Sequence, residues 1–217
     1  MRTGRPDELL YPAGSARPWI HLALTFGPGA VAFSVAIAIA ITNPGWLELA
    51  FGLGLVALGS TIEWWVHRAI LHAPQRPLTL LYQRHAVVHH GRFTARRMAI
   101  EQPGELSIVL LKPWTVLFIG ACGLPPAIVF EQLGLRGFAA LSVAVPTGYA
   151  LLYEATHLVC HLPAHRVFRV GPLAWLRAHH ARHHDPRNMR THNFNVALPL
   201  WDRVRGTLLT RDAADRD

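Results

Sequence analysis

Charge is scarce in this chain. Only 16% of its 217 residues are Asp, Glu, Lys or Arg, against 51% hydrophobic, a balance foreign to a soluble domain of this size. Cysteine is scarcer still: the two present, Cys122 in an apolar run and Cys160 between two histidines, exclude a disulfide framework and read as small buried apolar residues. Solenoid repeats and low-complexity linkers are missing, and only the closing RDAADRD, residues 211–217, reads as a disordered tail. Acidic residues are few as well, 13 against 21 basic, for a net charge of +8. A nucleic-acid domain with that charge would not also carry long apolar runs, so no nucleic-acid partner is expected.

Long apolar runs are what the chain has instead. They cover residues 19–42, 46–65, 106–130 and 137–153, each near the ~20 residues that span hydrocarbon. The first is too long and too far from the N-terminus for a signal peptide, and no small-residue cleavage site follows it. The third contains Lys112, Pro113, Pro125 and Pro126, so a tilted or re-entrant hairpin is the alternative to two full spans there.

Arginine sorts the remaining segments. Residues 1–18, 66–105 and 156–217 hold 3, 6 and 10 arginines, whereas the connections 43–45 and 131–136 hold only Arg136. An even number of spans places the three arginine-rich segments on one face, which the positive-inside rule makes cytoplasmic. Attraction to anionic headgroups then accounts for the net charge. The expected fold is all-α, an integral membrane protein of about four transmembrane helices with both termini and a histidine-rich helical cap on the cytoplasmic side. Its single domain, 1–217, divides into an N-terminal segment 1–18, a first membrane hairpin 19–65, a cytoplasmic stretch 66–105, a second hairpin 106–155 and a cytoplasmic stretch 156–217.

Thirteen of the fourteen histidines lie in those two cytoplasmic stretches, mostly in four clusters: HRAILH at 67–72, HAVVHH at 85–90, HLVCH at 157–161 and HHARHH at 179–184. Neutral imidazole is the commonest metal ligand. Histidines at i and i+4 on a helix share a face, as His157 with His161, His85 with His89, and His180 with His183 and His184 would. Adjacent histidines point about 100° apart, so His89 with His90, and His183 with His184, suit two ions. His67 and His72 are five apart and converge only if the helix ends or unwinds between them. Ten imidazoles, on His67, His72, His85, His89, His90, His157, His161, His180, His183 and His184, exceed what one ion takes; two ions are the natural count. Iron, copper and zinc all suit such a shell. Glu63, one turn before His67, is placed to orient it, and His179 and His192 are candidates for supporting positions. His21 and His165 read as interfacial or hydrogen-bonding groups.

The order and spacing of the clusters resemble the fatty acid hydroxylase superfamily of integral membrane oxygenases, which includes sterol desaturases and fatty acid 2-hydroxylases. EWWVHRAILH at 63–72, HAVVHH, YEATHLVCH at 153–161 and HHARHH are similar to its four histidine boxes, and NFNVALPLWDRVRGT at 193–207 is similar to the segment that follows the last. HAVVHH has one residue more than the usual His-x-x-His-His, which leaves the allotment of His85, His89 and His90 to individual ions open. His180, rather than His179, occupies the family position. Glu154 stands where relatives carry Asp, and with Asn193 it joins the candidate supporting residues.

The resemblance implies a cytoplasmic dimetal centre, most simply two irons with zinc an alternative occupant of purified protein. It also implies O2-dependent hydroxylation or desaturation of a lipid, of fatty acyl, sterol or carotenoid type, that enters from the bilayer. A strong C–H bond in an apolar chain offers no acid–base handle, so a redox metal and accurate positioning are required. Tyr82, Tyr153, Phe194 and Trp201 are candidate wall or core aromatics. No haem-binding domain is visible in the chain, so a separate ferredoxin or cytochrome-type electron donor is expected, with the arginines of the last segment as its docking surface. Two rivals stand beside this reading. A metal transporter or sensor would put ionisable residues inside the spans. A membrane metallohydrolase would use a metal-bound hydroxide, although the HExxH pattern is absent.

Overall fold

A computed structural model of the chain describes residues 17–42 and 44–210. The tail 211–217 and most of the N-terminal segment 1–18 lie outside the described residues. Among the described residues there is no strand, only an isolated backbone bridge between Thr94 and Arg97. Four helices are long and apolar enough to cross a membrane: Pro18–Ala40, Trp46–Leu71, Thr115–Gln132 and Arg136–His161. The protein is therefore all-helical, with four candidate spans.

The first span is helix α1, Pro18–Ala40, and the second is α2, Trp46–Val66. Both keep apolar residues on all sides, Val31 and Val35 of α1 and Leu53 and Leu58 of α2 remaining exposed, as a helix facing lipid requires. Trp19, Trp46 and Trp114 are exposed at or just before helix starts, where aromatic side chains sit at membrane–water interfaces. The third span is divided. Helix α3, Thr115–Ala121, and helix α4, Leu124–Gln132, meet at a turn through Cys122 and Gly123, and Pro125 and Pro126 fall in the first turn of α4, where proline is tolerated. Residues 106–109 form a separate short turn of helix, so the apolar run beginning at residue 106 is not one rod. The fourth span, α5, Arg136–His161, runs eight residues past the apolar run 137–153 and carries Glu154, His157 and His161 within it. Hydropathy ends early there because the chain continues its helix through residues chosen for chemistry.

The described chain divides into two compact units. One combines residues 19–59 with 110–155 and is held by close helix packing. Phe51 meets Phe130 and Phe138, ring centroids 5.4 and 5.2 Å apart. Gly123 lies so near the Ser142 carbonyl that an added Cβ would be 1.9 Å from its oxygen. Small residues at helix contacts are the usual means of packing in lipid, where apolar burial alone gives helices little reason to associate.

The other unit combines residues 60–109 with the described residues from Thr156 onward, and it contains all four histidine clusters. Helix α6, Gly171–His183, packs there against the end of α5. Arg177 of α6 donates from Nη1 to the Val159 carbonyl and from Nη2 to that of Leu162 at 2.9 Å, satisfying carbonyls that a helix end leaves without partners.

Candidate metal centre

Two short stretches depart from α-helical geometry, and both carry ligand candidates. His67–Leu71 is a π-turn in which the His72 amide donates to the His67 carbonyl at 3.2 Å. An i→i+5 hydrogen bond brings residue i+5 over residue i, so the two rings stack with centroids 5.1 Å apart. The five-residue spacing thus converges by widening the helix. Gln83–His89 is a second π-helical stretch, and the His90 amide donates to the His85 carbonyl. That turn corrects the expected pairing of His85 with His89. His85 instead shares a group with His90, their Nε2 atoms 3.2 Å apart, while His89, its ring stacked on that of His85 with centroids 5.2 Å apart, gives its nitrogen to the other group.

The result is two groups of five. His67, His72, His85, His90 and His183 bring one ring nitrogen each within 4.8 Å of one another, and so do His89, His157, His161, His180 and His184. All but the half-buried His85 are buried. α6 feeds both groups, since His180 and His184 enter one and His183 the other. The groups adjoin: the ring of His90 lies on that of His184, centroids 4.1 Å apart.

Hydrogen bonding fixes which nitrogen faces inward. Nδ1 of His183 donates to the His192 carbonyl at 2.9 Å, Nδ1 of His184 to Phe93 at 2.7 Å, Nδ1 of His161 to Met98 at 2.8 Å and Nδ1 of His89 to Ile108 at 3.2 Å. Nδ1 of His67 donates to the Phe194 carbonyl. A neutral imidazole carrying its proton on Nδ1 offers a lone pair at Nε2. Yet Nε2 of His89 and Nε2 of His184, both on rings whose Nδ1 is so committed, lie 3.2 Å apart, and Nε2 of His161 lies 3.1 Å from that of His180 and Nε2 of His183 3.0 Å from that of His72. Two lone pairs held together, as in the His89–His184 contact, repel unless a cation lies among them. With metal–nitrogen bonds of about 2.1 Å, adjacent ligands sit roughly 3.4 Å apart in a tetrahedral site and roughly 3.0 Å apart in an octahedral one. The observed contacts match the more crowded geometry, and two such groups can hold a dimetal centre.

Burial keeps the rings neutral. Desolvation, then the nearby imidazole of His183, lowers the pKa of His72 to about 2. Desolvation first and neighbouring histidines next also hold His85, His89, His90, His180, His183 and His184 well below the usual imidazole range. Neutral donors are the form a metal needs.

The supporting residues depart from expectation in detail. His67 is oriented by the Phe194 carbonyl, not by Glu63. The Glu63 carboxylate instead accepts from the backbone amides of Val196 and Ala197, the latter at 3.0 Å, and from the Asn195 amide group at 3.1 Å, because one helical turn leaves it facing the 193–197 loop. His192 contributes its carbonyl, while its ring meets the Thr191 hydroxyl at 2.8 Å. His179 lies outside both groups: its Nε2 donates to the Asn195 carbonyl at 2.9 Å and its ring stacks on Trp175. Asn193, at φ 57°, a left-handed conformation that Asn tolerates, donates to the His179 and Leu209 carbonyls and accepts from the Leu209 amide. Glu154 accepts from the Leu111 amide. Among the aromatics, Phe194 is a fully buried ring against Trp64 and His67, whereas Tyr82, Tyr153 and Trp201 are half-buried.

Asp202, in the WDRVRGT segment, has a structural part beside the site. Its buried carboxylate accepts from the amides of Phe194 at 3.0 Å and Asn195 at 2.8 Å and from the Thr207 hydroxyl at 2.6 Å, so it shapes the loop that presents carbonyls to His67 and His179. The Asn195 side-chain oxygen in turn accepts from the Asp202 amide at 3.0 Å.

The fatty acid hydroxylase family model matches residues 52–207, a range that takes in both histidine groups and the loop that supports them. The chain belongs to the fatty acid hydroxylase family. Searches among curated proteins and among solved structures returned no match.

Proposed function

We propose that the chain is a membrane-bound, non-haem di-iron oxygenase that hydroxylates or desaturates a lipid with dioxygen and electrons from a separate protein. The observation that carries this reading is the pair of five-histidine groups, side by side, with one ring nitrogen from each histidine brought within 4.8 Å of the others in its group. Family membership supports it. Bound there, a redox-active pair of ions supplies the reductive activation of dioxygen that an unactivated C–H bond requires.

The chain's own residues hold and shield that centre. Backbone carbonyls fix the ring tautomers, which sets ligand direction and basicity. The fully buried rings of Phe93 and Phe194 lie against ligand histidines, Phe93 against His161 and Phe194 against His67, and exclude water beside them. An aliphatic substrate would arrive through the bilayer, and its placement against the ions would supply the rate advantage of fixed orientation. The arginine counts favour a cytoplasmic site. The exposed side chains of Arg166, Arg169, Arg187, Arg190, Arg203 and Arg205 would suit an acidic electron-transfer partner of ferredoxin or cytochrome type.

The first test is metal content by elemental analysis, with Mössbauer spectra, on detergent-purified protein from iron-replete cells. About two irons per chain are expected from the donor count, followed by oxidised product when candidate lipids are supplied with reductant under dioxygen. Zinc that persists despite iron supplementation, or a single ion, would sink the oxygenase reading.

A further inference from the structure

Three of the five histidines in the group of His89, His157, His161, His180 and His184 lean on one stretch of chain. Within residues 93–109, the Phe93 carbonyl holds His184, Met98 holds His161 and Ile108 holds His89. The same stretch also grips the helix itself, the Ile100 amide donating to the His161 carbonyl at 2.8 Å. Yet it has little regular structure: a tight turn in which the Arg97 amide donates to the Thr94 carbonyl at 2.8 Å, a 3-10 turn Pro103–Glu105 and one turn of helix Leu106–Val109.

Its shape depends on an ion pair. Arg92 precedes the first of these carbonyls and Glu105 stands just before the last. Arg92 Nε donates to Glu105 Oε1 at 2.5 Å, a second contact runs from its Nη2 to the same carboxylate, and the side chains are only 14% and 13% exposed. Glu105 Oε2 accepts from the amides of Glu101 at 2.8 Å and Gln102 at 3.3 Å. Arg92 Nη2 also reaches Glu101 at 3.4 Å, and Glu101 is paired with Arg97 at 2.7 Å. A mostly desolvated guanidinium–carboxylate pair, with two guanidinium nitrogens on Glu105 Oε1 and backbone amides on Oε2, sets geometry as well as energy. In the other group, His183 and His67 are oriented instead by the carbonyls of His192 and Phe194, in a loop held by Asp202 and Glu63.

We infer that Arg92 and Glu105 are positioning residues for one ion of the pair, the one held by His89, His157, His161, His180 and His184, so that the two ions can be lost one at a time. The inference rests on the reading of both groups as metal sites. Carbonyls that orient ligand imidazoles govern affinity, and disturbing such support costs about 10–100-fold in metal binding. Breaking the Arg92–Glu105 latch therefore acts on a single ion.

The test uses the full chain in detergent, with Glu105→Gln and Arg92→Lys as variants and Arg187→Gln, which removes the exposed pair with Asp185, as control. Irons per chain and Mössbauer signals are compared alongside helicity by circular dichroism and elution volume. With fold retained, Glu105→Gln is expected to drop from about two irons to about one, and to bind the lost ion about 10–100-fold more weakly, while the control keeps both. The charge exchange Arg92→Glu with Glu105→Arg is expected to recover the second iron. Should Glu105→Gln not fold, Arg92→Lys, which keeps the charge but not the fork, is read in its place. Two irons at unchanged affinity in a latch variant, or loss of both together, would overturn the inference. Fewer than two irons in the unaltered chain would instead overturn the dimetal reading beneath it.

Discussion

Nε2 of His89 and Nε2 of His184 lie 3.2 Å apart, and each ring has its Nδ1 committed to a backbone carbonyl. Neither ring can donate to the other without surrendering that bond, so the contact makes sense only around a cation. Replacing either by alanine is expected to lower metal content from about two ions per chain to about one and to abolish turnover, since the remaining four donors no longer fix the ion in one geometry. Elemental analysis beside a lipid oxidation assay checks this. Full metal content and full activity after His184→Ala would remove His184 from the site.

Asp202 supports the other group at one remove. Asp202→Ala leaves the buried amides of Phe194 and Asn195 without their acceptor, a loss of about 1–3 kcal/mol each where nothing replaces it. The expected outcome is a lower unfolding temperature together with weaker metal binding at the His67 group, measured by thermal unfolding in detergent and by chelator competition. Unchanged binding at that group would confine Asp202 to stability.

How much of this was legible in the residues differs by level. The four spans could be read because lipid-facing helices must be apolar on all sides, and α1 and α2 meet that rule through their middles, with His21, Glu48 and Glu63 near their ends. The end of α5 could not, since Glu154, His157 and His161 break the hydropathy while the backbone continues unchanged. At the site, residue types identified the imidazoles, but the partition of His85, His89 and His90 turned on π-helical stretches, and nothing in HAVVHH separates i+4 from i+5 stacking. Backbone carbonyls have no letter in a sequence. The contacts of Phe93, Met98 and Ile108 could only be found in the folded chain, and with them the meaning of Asp202, Arg92 and Glu105.

Metal retention should depend on pH in a definite direction. His72, His85, His90 and His183 of one group have pKa values pushed below the imidazole value of 6.5, that of His72 to about 2. In the unfolded chain these rings take up protons near 6.5, whereas in the folded chain they remain neutral. The unfolded state therefore binds more protons below that pH, and stability of the metal-free protein falls as pH drops from about 6.5 toward 2. Protons also compete with the ion for the same lone pairs. Metal release and unfolding temperature, followed from pH 8 downward, are expected to be flat at first and to worsen below about pH 6.5. A protein that grows more stable on acidification would contradict the buried neutral state of these rings.

Packing in the unit without the histidine clusters gives a prediction independent of metal. Gly123 lies against the backbone of the α5 residues Ser142 and Val143, and a methyl group there would fall 1.9 Å from the Ser142 oxygen. The obstacle is backbone, which no rotamer change relieves, so the helices must separate. Gly123→Ala is expected to cost at least the roughly 1–3 kcal/mol of ordinary overpacking. Gly54→Ala, at a position where nothing lies within 4 Å of the added carbon, removes a helix-interior glycine and is expected to be neutral or slightly stabilising. Thermal unfolding of the two variants in the same detergent separates close approach from a general dislike of substitution. Equal stability of the pair would mean that α5 does not pack on the turn between α3 and α4 as closely as the structure places it.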